Sequence, residues 1–461
     1  MFDADTIAAI STSVGQAGIG IVRLSGPASL KIARTVFRTL RNEQVKFFEP
    51  RKLMYGLVVE PVSGGKIDEA LCVYMPGPNS YTCEDVVEFQ AHGSTVVLRK
   101  VLQTLIQQGA RLALPGEFTQ RAFLNGRIDL VQAEAVMSVI QAKTDAALRI
   151  ANEQLTGTLS KRISEIRLDI LELVARLEAS MDYPEDDIEL QPTDTVRAEL
   201  LKALAAVEYL LSTSTTGKIV REGLQTVIVG KPNVGKSTLL NALLGEDRAL
   251  VTDIPGTTRD TIEEYINLSG LPLRIVDTAG LRDTVDQIEL LGISRTREQL
   301  KNAGLVLFLI DASEPADEAD LELLRSLPGT PVIIVVNKID LPKLNHFERW
   351  ENLTDIYPVV SLSAKEKMGL DALQQTIEKL VFSGEVHLSE AICVDNNRHV
   401  ESLINAKQAL LSAIDSLGAG ISFDCILIDL RAALQSLGQI TGETVSDEVV
   451  REIFAKFCLG K

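Results

Sequence analysis

Several short stretches, in chain order, carry the residue types that handle a nucleoside triphosphate. Gly230 to Thr238 reads GKPNVGKST and matches the phosphate loop G-x-x-x-x-G-K-[ST]. It lies between the apolar strand pattern LQTVIVG and the helical pattern LLNALLG, the context in which the motif has meaning. Its glycines let backbone N–H groups wrap phosphate oxygens. Lys236 adds charge at the β and γ phosphates, and Ser237 offers a hydroxyl to Mg²⁺. Asn233, Val234, Gly235 and Thr238 complete the loop. Further on, Asp277, Thr278, Ala279 and Gly280 spell DTAG at the end of a strand. There Asp277 can reach Mg²⁺ and the Gly280 N–H can report the γ-phosphate.

The base is specified by two more pieces. Asn337, Lys338 and Asp340 belong to NKID, and the Asp340 carboxylate can accept from both N–H groups of guanine, which adenine cannot supply. Ser363, Ala364 and Lys365 in LSAKEKMG supply a second contact to the base. Between phosphate loop and DTAG, the stretch Thr252, Asp253, Ile254, Pro255, Gly256, Thr257, Thr258 sits where a switch threonine belongs. Thr258 is the choice for a second Mg²⁺ hydroxyl, with Thr257 the alternative. Together these pieces specify a guanine-nucleotide domain.

The residue after DTAG is Leu281, where the best-known switches carry a glutamine that orients the attacking water. Three carboxylates follow, Asp283, Asp286 and Glu289, and any of them could accept from that water. Hydrolysis also needs extra positive charge. An arginine finger supplies ~10³–10⁵ in rate, and a monovalent cation held by the Asn233 side chain and switch-loop carbonyls could do a similar job. Spacing alone does not choose among the three acids.

The elements that must position these residues follow from pattern. The 461 residues suffice for about two to four domains with a sizeable core. Composition, 46% hydrophobic and 24% charged, is that of a folded soluble protein. No run approaches the ~20 apolar residues of a membrane span. The N-terminus lacks the basic region of a signal peptide. Five scattered cysteines point to free thiols in a reducing cytoplasm. A net charge of −17 opposes direct contact with nucleic acid, so such a role requires a local basic patch or a basic partner.

Residues 1–121 mix short strands (GIGIVRLSG, MYGLVVEP, LCVYMPG, DVVEFQAHG) with helical patterns (ASLKIARTVFRTL, TVVLRKVLQTLIQQG), which makes an α/β domain. Residues 122–217 are helical, with the long apolar-periodic runs LVQAEAVMSVIQAKTDAALRIANEQL and LSKRISEIRLDILELVARLEASM. Residues 218–382 alternate strand and helix. Four of the five strands there are continuous apolar runs, as in a mainly parallel sheet buried on both faces. Residues 383–461 return to helices. The expected architecture is multidomain α/β and all-α, with a P-loop GTPase domain inserted into a helical domain built from two chain segments.

Along nearly its whole length the chain resembles the MnmE (TrmE) family of bacterial tRNA-modification GTPases. The resemblance rests on GKPNVGKST, TDIPGTTRD, DTAGLRDT, SYTCEDVVEFQAHG, LPGEFTQRAFLNGRIDLVQAEAV and the terminal CLGK. The last three make it specific, because the GTPase boxes alone also suit ribosome-assembly relatives. It implies a cytoplasmic homodimer joined through an N-terminal domain that binds 5-formyl- or 5,10-methylene-tetrahydrofolate. It further implies an FAD-containing partner, MnmG, in a heterotetramer or larger complex through which tRNA is reached. The reaction implied is addition of an aminomethyl or carboxymethylaminomethyl group to carbon 5 of the wobble uridine.

Transferred residue by residue, the family's potassium ligands fall on the Asn233 side chain and the carbonyls of Thr252, Ile254 and Thr257. Its Mg²⁺ ligands fall on Ser237 and Thr258, and its water-handling acid on Glu289. Its folate contacts fall on Arg23, Glu84, Arg127 and Lys461, with Arg127 standing where many relatives carry lysine. Cys458 reads by type as a small buried hydrophobe, but the resemblance assigns it to the modification centre as a catalytic residue. His92 in AHGS reads as satisfying a turn. Two other classes compete with this reading. One is a ribosome-assembly GTPase that binds rRNA, and the other a folate-dependent one-carbon transferase regulated by GTP.

Overall fold

Apolar runs of two kinds, alternating and continuous, become two sheets. This computed structural model describes residues 5–461 except 14, 183–191, 247–263, 269–270, 276–299, 301–302, 315–317, 326, 328, 343–355 and 383–391. The chain packs as two units, Met1–Met137 with Gly438–Lys461, and Ser138–Leu437.

The first unit contains β1 (Ile7–Ile10), β2 (Ala17–Ser25), α1 (Ser29–Val36), β3 (Phe37–Arg38), β4 (Met54–Val59), β5 (Lys66–Met75), β6 (Val86–Gly93), α2 (Thr95–Gln107), β7 (Arg111–Leu112) and α3 (Glu117–Leu124). Its sheet runs β3-β4-β5-β6-β2-β1-β7 and is antiparallel except for the parallel pair β1–β7. Helices α1 and α2 bury Ile32, Val36, Leu98, Val101 and Leu105 against Val22, Leu24 and Phe89. The helical pattern read through Leu40 stops at Val36. Phe37 turns extended, at φ −107° and ψ 134°, and begins β3. The reason is packing: its ring is fully buried, 6.1 Å from Phe48 and 6.3 Å from Phe89.

The C-terminal helix Asp447–Ala455 belongs to this unit. Its Val450 and Phe454, with Phe457 beyond it, pack on Leu130, Ala133 and Met137 of α4 (Leu130–Gln141). The last residues form a turn, with the Lys461 N–H donating to the Cys458 carbonyl at 3.4 Å. Gly460 sits at φ +87°, and a Cβ there would run into the Ile10 carbonyl, so only glycine fits.

The run read as one long helix is two, α4, whose first eight residues belong to the first unit, and α5 (Asp145–Leu155) in the second. Thr144 is extended and its hydroxyl accepts from Ala147 N at 3.2 Å, a cap that starts a new helix although the apolar spacing continues across the break. Then come α6 (Thr158–Asp182), α7 (Thr193–Ser212) and α8 (Ser214–Glu222), with the later helices Asn397–Gly418 and Phe423–Thr441.

The nucleotide-domain strands are β8 (Leu224–Val229), β9 (Glu264–Leu268), β10 (Leu271–Ile275), β11 (Leu305–Asp311), β12 (Val332–Asn337) and β13 (Val359–Ser361), with α9 (Lys236–Glu246) following β8. Their order is β13-β12-β11-β8-β10-β9. All neighbours are parallel except β10–β9, an antiparallel edge that the sequence reading did not single out. Strand β11 is buried at every residue, as a central strand covered on both faces must be. Leu307, Leu309 and Ile333 face one apolar cluster, and Val306, Phe308 and Ile334 the other. Among the described residues no helix is long and apolar enough to cross a membrane.

Candidate guanine-nucleotide site and N-terminal arginine–tyrosine cluster

Open α/β sheets bind ligands at the carboxyl ends of their strands. The phosphate loop leaves the carboxyl end of β8, and Asp311 and Asn337 pair in register at the ends of β11 and β12. Asn233 adopts a left-handed conformation at φ 64°, which asparagine tolerates. Gly235 stands at φ 98°, where a Cβ would run into the Asn337 amide. The loop's second glycine is thus required by close approach as well as by conformation.

Lys236 Nζ donates to the carbonyls of Gly230 and Lys231, each at 2.7 Å, which closes the loop into a ring around its own ammonium. Burial holds its pKa below the ordinary lysine value. A bound phosphate acts in the opposite sense, because a nearby anion favours the charged form. Ser237 and Thr238 are exposed at the start of α9. That leaves the Ser237 hydroxyl accessible as a cation ligand.

Asn337 ties the loops together. Its side chain, on a residue only 2% exposed, donates from Nδ2 to the Val234 carbonyl at 2.9 Å. Its Oδ1 accepts from Ala364 N at 3.0 Å. One buried amide therefore fastens the phosphate loop to both base loops. Asp340 is exposed and accepts from Ser363 Oγ at 2.6 Å, a hydrogen bond that keeps its carboxyl below the usual value. Lys338 pairs with Asp311 at 2.6 Å, while Lys365 lies exposed beside Glu366. The structure thus brings together Val234, Gly235, Lys236, Asn337, Asp340, Ser363 and Ala364. Thr252, Asp253, Ile254, Pro255, Gly256, Thr257, Thr258, Asp277, Thr278, Ala279, Gly280 and Glu289, with Asp283 and Asp286, lie outside the described residues.

The first unit holds the other cluster. Arg23, in β2, pairs with Glu88 at 2.8 Å and lies 5.5 Å from the centre of the Tyr81 ring and 5.6 Å from that of Phe118. Arg127 lies 4.8 Å from the same Tyr81 ring and donates to the Tyr81 carbonyl at 2.8 Å. Two guanidiniums on one ring make a cationic, aromatic surface suited to a flat anionic ligand. Glu84, three residues after Tyr81, accepts from Ser25 Oγ at 2.6 Å. The Lys461 carbonyl accepts from Phe118 N at 3.2 Å, and the Cys458 carbonyl from Gly116 N at 3.4 Å.

Arg23, Glu84, Arg127 and Lys461 are thus all joined through Tyr81, Phe118 and their flanking residues. Tyr81 and Phe118 were not singled out by the sequence reading; the aromatic between a serine and a threonine in SYT was the available signal. Cys458 is exposed, not buried. His92 is exposed too. Its Nδ1 meets Asp68 at 2.9 Å, across to the neighbouring strand, and its carbonyl accepts from Ser94 N at 2.8 Å in the turn that follows. Among the described residues no group of three or more His, Cys, Asp or Glu could hold a metal ion.

A mainly parallel sheet with a phosphate loop braced through asparagine to an aspartate and a Ser-Ala-Lys turn defines a P-loop guanine-nucleotide hydrolase. The family model described as GTP-binding protein TrmE N-terminus matches residues 6–127, and the MnmE helical domain model matches residues 130–458. Proteins named tRNA modification GTPase MnmE are similar from end to end. That of Thermoanaerobacter sp. (strain X514) is 48% identical, with 99% of each chain covered. Those of Geobacillus thermodenitrificans and Clostridioides difficile are 47% and 44% identical, with 100% of each chain covered. The chain belongs to the MnmE family of tRNA modification GTPases.

Proposed function

We propose that this protein is a potassium-dependent GTP hydrolase whose cycle drives modification of the tRNA wobble uridine, with MnmG as flavoprotein partner and a tetrahydrofolate as one-carbon source. The observation that supports this reading most is that one unit carries both the arginine–tyrosine cluster and the docked tail with its exposed Cys458. A GTP site elsewhere in the same chain supplies the drive. The chain works as a homodimer in the cytoplasm and reaches tRNA through the complex, since its net charge of −17 opposes direct contact.

Within this reading, Ser237 and Thr258 hold Mg²⁺, and the Asn233 side chain with the Thr252, Ile254 and Thr257 carbonyls holds potassium. Bound cations neutralise charge that develops on the phosphates. The residues do the rest. Lys236 and the loop amides orient the phosphates, Asp340 and Ala364 select guanine, and Glu289 orients the water in place of the missing glutamine. In the N-terminal unit Arg23, Arg127, Glu84 and Lys461 bind the folate. Cys458 is presented at the surface by the Gly116 and Gly460 contacts.

GTP turnover in potassium chloride and in sodium chloride at equal ionic strength tests the hydrolytic part. Strong stimulation by potassium in the parent, lost in Glu289→Ala, is expected. Equal rates in the two salts remove potassium from the mechanism.

A further inference from the structure

Arg121 lies one helical turn after Glu117 on α3, with 4% of its side chain exposed, and reaches three carboxylates. Its Nη2 donates to Asp5 Oδ1 at 2.5 Å and to Glu117 Oε1 at 3.0 Å. Its Nη1 donates to Glu84 Oε1 and Oε2 at 3.1 and 3.2 Å, and to the Asp5 carbonyl at 3.1 Å. Arg111 closes the ring. Its Nε meets Asp5 Oδ2 at 2.7 Å, and its Nη2 meets the fully buried Glu117 at 2.6 Å.

Among the described residues the ring counts three carboxylates against two guanidiniums. Asp5 and Glu117 each touch both guanidiniums, whereas Glu84 touches only one. Glu84 is also the member that belongs to the Tyr81 loop, which is tied shut by Ser80 Oγ on the Glu84 carbonyl at 2.5 Å. Its carboxylate also accepts from the Ser25 hydroxyl, itself 2.6 Å from Thr82 Oγ1, and its N–H donates to that same Thr82 Oγ1 at 3.3 Å. Burying such a set adds little stability compared with apolar packing of the same volume. What it does provide is a fixed direction for one carboxylate, because a guanidinium fork held by Asp5 and Glu117 cannot rotate away from Glu84.

We propose that Arg121 is a positioning residue that acts through Glu84, held in place by Glu117, Asp5 and Arg111, and that ligand binding at the Tyr81 cluster depends on it. The proposal rests on the folate reading given above.

A double-mutant cycle on the full-length protein tests it, with 5-formyl-tetrahydrofolate as probe in a calorimetric titration. Hydrogen exchange at the Val22, Leu24 and Phe89 amides of the same unit's sheet reports that each variant is folded there. Glu84→Gln is expected to weaken the folate by about tenfold, the scale of one charge-assisted hydrogen bond. Arg121→Met is expected to do the same, and the double variant to be no weaker than either single one. Arg121→Lys keeps the charge but not the fork, so it should resemble Arg121→Met. It carries the cycle alone if the methionine variant does not fold. Losses that multiply to about a hundredfold in the double variant, or an Arg121 variant that binds like the parent, overturn the proposal. A parent that does not bind the folate overturns the folate reading and this proposal with it.

Discussion

Replacement of Asn337 by alanine should disable the nucleotide site without touching a nucleotide-contacting charge. The Asn337 side chain satisfies two groups, the Val234 carbonyl and the Ala364 N–H, on residues that are each 3% exposed. Alanine strands both, and each buried unsatisfied group costs about 1–3 kcal/mol, so the sum is about 2–6 kcal/mol before relaxation. Against a domain stability of about 5–15 kcal/mol that is a large fraction. It also uncouples the phosphate loop from the base loops. The cost of the stranded groups is carried by the free and the bound protein alike, so it shows in the melt; the ligand must in addition re-order the uncoupled loops, and at about 1.4 kcal/mol per tenfold in affinity a weakening of about tenfold is expected. Fluorescent GDP titration measures this, and a thermal melt of the same sample reports the stability change. Asn337→Asp is the sharper comparison. It keeps an acceptor for Ala364 N but turns a second acceptor toward the Val234 carbonyl, so it should bind no better than the alanine variant. An aspartate variant with parental affinity, or an alanine variant within about twofold of the parent, would refute the bracing role of Asn337.

Two further outcomes follow from the N-terminal unit. Gly460→Ala meets the Ile10 carbonyl at a left-handed position, costing roughly 1–2 kcal/mol in conformation alone and releasing the tail turn. Hydrogen exchange should then accelerate at the Gly116 and Phe118 amides, whose acceptors are the Cys458 and Lys461 carbonyls; unchanged exchange at both would show that the tail is held otherwise. Burial opposes ionisation of Glu117, but hydrogen bonds from Arg111, Leu114 N and Arg121 outweigh it, so its carboxyl lies below the ordinary value of 4.5. A depressed folded pKa stabilises above the unfolded value and is lost as pH falls through the folded one. The urea midpoint of this unit should therefore be level above about pH 5 and fall below about pH 4. Glu117→Gln should flatten that acid limb, and an unchanged limb would place the linkage elsewhere.

The described part of the nucleotide site was legible in the sequence because its chemistry is local; the switch stretch and DTAG lie outside the described residues. The phosphate loop, NKID and Ser-Ala-Lys each sit at the end of an apolar run, so strand and ligand-bearing residues are read together. What joins them was not legible. Asn337 reads as a base-loop residue, and nothing in its neighbours announces the contact to Val234. The ionic ring around Arg121 was missed for a related reason. Asp5, Glu84, Arg111, Glu117 and Arg121 are charged types that usually lie at the surface, and Asp5 and Arg121 are 116 positions apart. The one local trace was the Glu117–Arg121 spacing, indistinguishable from an ordinary exposed helix pair. Helix ends failed where packing overrode periodicity: Phe37 leaves α1 to enter the aromatic core, and Thr144 caps a new helix inside an unbroken apolar pattern.

The most direct test of the proposed function is nucleoside mass spectrometry of tRNA from cells whose own copy of this gene is deleted and replaced by the parent, Lys236→Met or Cys458→Ser. The expected result is loss of the wobble-uridine modification in the deletion, restoration by the parent, and failure of both variants to restore it. Wobble uridines that remain fully modified in the deletion strain would contradict a role for this chain in that reaction.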